Sequence, residues 1–184
     1  MIFDPIVGDV RLHSPLTPLE IIELDRALIE AFSSHRSLKN RLPAARYIKY
    51  SQLPALFAES FVIAGARKLF GSEWTAAIGR PLSDVRLSDS GGRTRRVEVK
   101  SSGHHGFQEL KGKDLLADTL VWVHFGRRFH DGSGAIQVVI LDNPGKYISE
   151  PIRLDIPRLR RRVGEATDLR QIEVKDLEDF LLSS

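Results

Sequence analysis

The residues with the clearest chemical potential lie between positions 84 and 100. Asp84 opens one alternating stretch, Asp84-Val85-Arg86-Leu87, while Glu98 and Lys100 stand two apart in a second, Arg96-Val97-Glu98-Val99-Lys100. The segment SDSGGR between them suits a hairpin turn. If the loop is Ser90-Gly91-Gly92, Asp89 faces Arg93 and, counting along both strands, Asp84 lies directly opposite Glu98. A five-residue loop preserves that pairing, whereas a two- or four-residue loop breaks it unless a bulge intervenes. Facing carboxylates have β-carbons about 5 Å apart and destabilise a sheet unless positive charge lies between them. A divalent cation supplies such charge. Mg²⁺ takes hard oxygen ligands, so Asp84, Glu98 and the main-chain carbonyl of Val99 form a candidate site. Lys100, one strand repeat beyond Glu98, could orient a water or stabilise charge developing at phosphorus. The competing reading is a solvated hairpin in which Arg86, Arg96 and Lys100 neutralise the two acids.

These strands need a scaffold. Thr17, Pro18 and Glu20 supply an N-cap, a first-turn proline and a capping-box acid for a helix over about 17–33, with Ile21, Leu24, Leu28 and Phe32 on one stripe. A basic, tyrosine-containing connection follows. A second helix is expected from Pro54 to Phe70, with Arg67 and Lys68 in its last turn and Gly71 as its stop. Glu59 sits on that helix among Ala55, Leu56, Val62 and Ile63, against an apolar face, where a carboxylate needs a partner or a path to water. Downstream, FQELKGKDLLA reads as a short helix. DTLVWVHF and AIQVVIL are apolar at nearly every position, as strands covered on both faces are. The expected architecture is therefore α/β, a mixed sheet with helices on its faces.

Composition sets bounds on function. The 184 residues, 42% hydrophobic and 28% charged, suit one soluble domain with a sizeable core. Without cysteine there are no disulfides, thiolate nucleophiles or cysteine zinc sites, and a cytoplasmic location is expected. The N-terminal MIFDPIVGDVRLHSP does not read as a signal peptide, and no stretch reaches transmembrane length. The net charge is only +3, but the basic residues cluster in RTRRVEVK and RLRRR, which favours a polyanionic partner. Arg93, Arg95 and Arg96 in the first cluster, and Arg158, Arg160, Arg161 and Arg162 in the second, are the candidate DNA-backbone contacts.

A helix carrying Glu59, a hairpin carrying Asp84 and Glu98-Val99-Lys100, then a helix and a strand, resembles the PD-(D/E)xK nuclease superfamily, the restriction endonuclease-like fold. The resemblance covers roughly residues 50–141 and leaves about 151–184 as a C-terminal extension, a candidate region for target recognition or dimer contacts. VEVKSS carries most of it, since apolar residues flank the Glu and Lys and small residues follow. Residue by residue, Asp84 matches the first metal-binding acid, Glu98 the second, Lys100 the motif lysine, and Glu59 the helical acid that many members place beside the metal. Gln108 matches loosely a glutamine used near the site in some members. Ser83 stands where the motif often has proline. The resemblance implies a Mg²⁺-dependent DNA endonuclease, with Mn²⁺ able to substitute, leaving 5′-phosphate and 3′-hydroxyl ends. A type II restriction enzyme acting as a homodimer fits that description; a repair or junction nuclease, or a non-catalytic DNA-binding subunit on the same fold, is the alternative.

Other candidates carry less. His104 and His105 are adjacent and read as loop histidines, His104 being a possible accessory at the substrate, as is Ser101. Ser101 and Ser102 are small residues lining a cleft. His124 reads as a hydrogen-bonded core histidine, His130 and Asp131 as part of a turn, and Trp74 and Trp122 as core or near-core, with an exposed Trp74 as the alternative, stacking on a base or anchoring a partner. No phosphate-binding glycine loop or serine-nucleophile elbow is present, which disfavours a nucleotide cofactor or serine chemistry.

Overall fold

The computed structural model describes residues 14–42, 44, 55–80, 83–103, 106–131, 134–164 and 167–183. Position 54, most of the basic connection before it, His104 and His105 lie outside the described residues.

The first helix, α1 (Pro18–Arg41), begins as expected. Thr17 accepts from the Glu20 N–H at 3.3 Å, and the Glu20 carboxylate returns a bond to the Thr17 N–H at 2.8 Å. It runs past Phe32 because nothing in SSHRSLKNR breaks a helix. The stop comes from proline at position 43, which holds Leu42 in an extended conformation (φ −121°, ψ 109°). The expected second helix is divided at Gly65 into α2 (Ala55–Ala64) and α3 (Ala66–Phe70). A side chain at Gly65 would meet the ring of Phe180, which stacks on Phe61 with centroids 5.2 Å apart.

Among the described residues, eight strands follow this helical region. The first, β1 (Trp74–Ile78), was not legible in the sequence, since Ala76-Ala77 weakens its alternation. Then come β2 (Val85–Asp89) and β3 (Thr94–Ser102), with Val85 facing Val97 and Arg86 facing Arg96. The three-residue loop is the observed one. Asp89 N–H donates to the Arg93 carbonyl at 3.1 Å, and Gly92 supplies the positive φ (80°) that the turn requires.

FQELKGKDLLA is not one helix. It forms β4 (Phe107–Leu110) and a single turn, α4 (Gly112–Leu115), so Gln108 lies on a strand and not at a helix start. The two apolar runs become β5 (Thr119–His124) and β6 (Ile136–Asp142), nearly all buried. Between them, α5 (Arg128–Asp131) makes one helical turn where His130 and Asp131 were expected in a turn. The chain closes with β7 (Ile152–Asp155), α6 (Ile156–Val163), β8 (Leu169–Val174) and α7 (Leu177–Leu182).

Six strands form one mixed, mostly antiparallel sheet in the order β1-β2-β3-β5-β6-β8, in which β3 and β5 run parallel. The remaining β4 and β7 pair antiparallel as a separate ribbon. Helices α1, α2 and α7 cover one face, burying Phe57, Phe61, Val85, Val97, Val121 and Leu177. On the other face, Leu120, Trp122 and Leu141 pack under the ribbon and α6 through Leu110, Leu154 and Leu159. Each such side chain is worth about 1.5–3 kcal/mol when fully buried. The C-terminal extension packs into the same domain. Strand β8 is the sixth strand of the main sheet, and Leu177 and Leu181 enter its core. No helix among the described residues is long and apolar enough to cross a membrane.

Candidate active site

Asp84 stands one residue before β2, at the end of the hairpin. In place of a main-chain ladder bond, its Oδ2 accepts from the Val99 N–H at 2.9 Å. That bond fixes the first acid against the strand carrying Glu98, Val99 and Lys100. The contact the structure gives Val99 is thus through its N–H, while its side chain is in the helix-covered core.

The end of the face that holds Glu98 and Lys100 is largely buried. Glu98 pairs across the parallel ladder with Leu120 and Lys100 with Trp122, so both point to the ribbon side of the sheet, where α4 covers them. The Glu98 side chain is 4% exposed and its Oε1 accepts from Lys113 at 2.8 Å and Lys100 at 3.2 Å. Burial, with further contributions from contact with Asp114 and the charge of Asp84, pushes the Glu98 carboxyl above the ordinary range despite both ammonium groups.

Lys100 reaches a second acid. Its Nζ lies 2.9 Å from Oδ2 of Asp114, whose side chain is fully buried and which also accepts from the Lys111 N–H at 2.7 Å. Burial pushes Asp114 up, but the Lys111 N–H, contact with Glu98 and Lys100 together outweigh it and hold the carboxyl below its usual range. The other oxygen, Oδ1, is buried and has no hydrogen-bond partner among the described residues. Lys113, beside it in sequence, is two-thirds exposed, and its bond to Glu98 raises its pKa.

Glu59 finds its partner in Arg80. One guanidinium nitrogen, Nη2, donates to both carboxylate oxygens at 3.0 Å. Burial still raises Glu59, against the pull of Arg80 and with Asp84 adding to the rise. The charge of Asp84 acts on Glu59, Glu98 and Lys113 alike, raising both carboxyls and the lysine.

Gln108 donates its side-chain amide to the Ser101 carbonyl, tying β4 to β3. Ser102 receives the Trp122 indole N–H at 2.7 Å and lies 2.9 Å from His124 Nδ1. His124 is the hydrogen-bonded histidine the sequence suggested, and Trp122 is fully buried.

The basic clusters stand apart from these acids. Arg93 pairs with Asp89. Arg95 lies 5.0 Å over the Trp74 ring, and Arg96 bonds Asp118 at 3.2 Å and the Leu116 carbonyl at 2.8 Å. All three keep substantial exposure, and the trio occupies the opposite end of β3 from Lys100. Arg158, Arg160, Arg161 and Arg162 are exposed on α6, on the same side of the sheet as Glu98. Arg158 lies 3.9 Å from Asp155.

Three members of the cluster escaped sequence reading: Arg80, Lys113 and Asp114. The first follows a glycine in an apparent loop, and the others belong to a segment read as an ordinary helix. The one available signal was Asp114 ahead of Leu115-Leu116, an acid beside an apolar pair.

Among the described residues, no three His, Asp or Glu side chains converge into a group that could hold a metal by themselves. The donor chemistry nevertheless fits a hard cation bound through few protein ligands. Asp84 and Glu98 offer carboxylate oxygens, their mutual repulsion contributes to the raised Glu98 pKa, and Mg²⁺ ordinarily keeps several waters. Comparison with protein-family models, with curated proteins and with solved structures finds no match to this chain.

Proposed function

We propose that this chain is a metal-dependent DNA endonuclease of the PD-(D/E)xK type, on a restriction endonuclease-like fold. The observation that carries the reading is the bond from Asp84 to the Val99 N–H, which sets one acid against Glu98-Val99-Lys100 at the end of a hairpin. The order of elements is also consistent: a helix bearing Glu59, the hairpin, then a strand parallel to β3.

Asp84 and Glu98, with the Val99 main-chain carbonyl, would hold Mg²⁺ or Mn²⁺, which supplies an acidified water and charge neutralisation at phosphate. Occupancy there needs Lys113 to leave Glu98, and its exposed side chain can do so. Lys100 stays behind, held by Asp114, so an ammonium remains where negative charge develops on the phosphoryl oxygens. Hydrolysis breaks the bond from phosphorus to the 3′-oxygen; water contributes the hydroxyl to phosphorus and the proton to the leaving oxygen. The exposed arginines of β3 and α6 would bind the DNA backbone without reading bases. A homodimer would place two such sites on the two strands of a symmetric target.

One observation favours a second reading, a non-catalytic DNA-binding subunit: Glu98 and Glu59 already have cationic partners in Lys113 and Arg80. The deciding experiment incubates purified protein with Mg²⁺ or EDTA on linear, supercoiled and branched DNA, beside Asp84→Asn. The Asn variant keeps an acceptor for the Val99 N–H and should fold normally while losing cleavage. Cleavage by Asp84→Asn at the wild-type rate would refute the site. Tight binding with no metal requirement and no cleavage on any substrate would favour the binding subunit.

A further inference from the structure

We infer that Arg80 is a phosphate-contacting residue of this site and that Glu59 is its positioning residue rather than a metal ligand, an inference that rests on the nuclease reading above for its role in catalysis. The pair is lopsided. Glu59 is buried, its side chain 4% exposed, whereas the Arg80 side chain is 47% exposed. A pair serving only to neutralise a core carboxylate has no need of a cation facing solvent.

Both oxygens of Glu59 are taken by one nitrogen of Arg80. A guanidinium carries further donors at Nε and Nη1, and these have no partner among the described residues. The free edge is the planar fork that matches a phosphate.

The chain delivers that fork to the right end of the hairpin. Gly79, immediately before Arg80, donates its N–H to the Asp84 carbonyl at 3.1 Å. A Cβ on Gly79 would come within 2.8 Å of the Val85 carbonyl carbon and 3.0 Å of the Arg86 nitrogen, so the backbone approach requires glycine. Glu59 in turn feels the charges of Asp84 and Lys113. Arg80 therefore stands at the rim of the acidic cluster with one side of its guanidinium held and the other open. An arginine held in this way has already given up part of its side-chain freedom, which lowers the entropic cost of binding a phosphate.

The test is the salt dependence of binding to a short fluorescent DNA duplex, read by anisotropy in EDTA across a KCl series. Wild type is compared with Arg80→Ala, Glu59→Gln and the double variant, with thermal melts for each and Mg²⁺ cleavage in parallel. Loss of one phosphate contact should flatten the slope of log affinity against log salt by about one. Arg80→Ala leaves a buried carboxylate unpaired and can lose stability; the double variant removes that carboxylate charge. It should melt near wild type and keep the flattened slope, while Glu59→Gln, which retains the arginine but loosens its hold, should keep the wild-type slope and bind more weakly at each salt concentration. A folded double variant with the wild-type slope overturns the inference, as does absence of DNA binding by wild type. Cleavage with an unchanged slope refutes the Arg80 contact alone. An Arg80-dependent slope without cleavage on any substrate supports the contact and refutes the nuclease reading.

Discussion

Asp114 offers the sharpest test of how the candidate site is held together. Its Oδ2 serves two donors, the Lys111 N–H at 2.7 Å and Lys100 Nζ at 2.9 Å, inside a fully buried side chain. Asp114→Ala removes both bonds and leaves the largely buried Lys100 with Glu98 alone, at 3.2 Å. Breaking one side of a buried ion pair costs about 3–5 kcal/mol, and the surviving Glu98 contact puts the expected loss near the lower end, about 3 kcal/mol. Asp114→Asn can keep the Lys111 bond through its amide oxygen, so it loses mainly the charge on Lys100, about 1–2 kcal/mol. Urea unfolding in EDTA at neutral pH, with unchanged m, reads both values. The pH dependence adds a second check. The fold holds Asp114 below its ordinary pKa of 3.8, so its ionisation stabilises the protein above that value. That contribution disappears as pH falls through the lowered folded pKa. The deficit of the Asn variant should therefore shrink in acid. An Asn variant as stable as wild type at neutral pH, or a deficit indifferent to acid, would refute the argument.

The sign reverses at Glu98. Burial raises its folded pKa above 4.5, so its ionisation costs stability as pH rises past that value. In EDTA, Glu98→Gln should melt higher than wild type at neutral pH, with the gain fading toward pH 4.5, and a lower neutral melting temperature contradicts the assignment. Away from the site, Arg128 donates to both oxygens of Asp25 at 2.7 Å, locking α5 against α1 in a largely buried pair. Asp25→Ala should cost about 3–5 kcal/mol in denaturant unfolding. Gly79→Ala, forced against the Val85 backbone, should cost about 1–3 kcal/mol, with hydrogen exchange at the start of β2 rising more than in β6.

The hairpin register was legible in the sequence because it depends on a short loop and two alternating strands. Ser90-Gly91-Gly92 can turn the chain tightly, and once Asp89 faces Arg93 every later pairing follows. The same locality explains the Thr17 capping box, and the apolar runs of β5 and β6 announced strands buried on both faces. Local pattern failed where contacts are distant. The need for glycine at position 65 reflects Phe180, more than a hundred residues away, and FQEL became a strand because β7 was available to pair with it.

The sequence by itself determined which acids and lysine share a strand face, since side-chain alternation needs no knowledge of neighbours. Only the tertiary structure decided that Glu98 on this face is buried. With β5 beside β3 and α4 above it, Glu98 left water, acquired Lys113 and met Asp114, whose other contact holds Lys100. Arg80 reached Glu59 by the same means, through a turn that brings Gly79 against Asp84. Desolvation and charge pairing depend on what surrounds a residue in space, and sequence spacing carries that information only as far as one hairpin reaches.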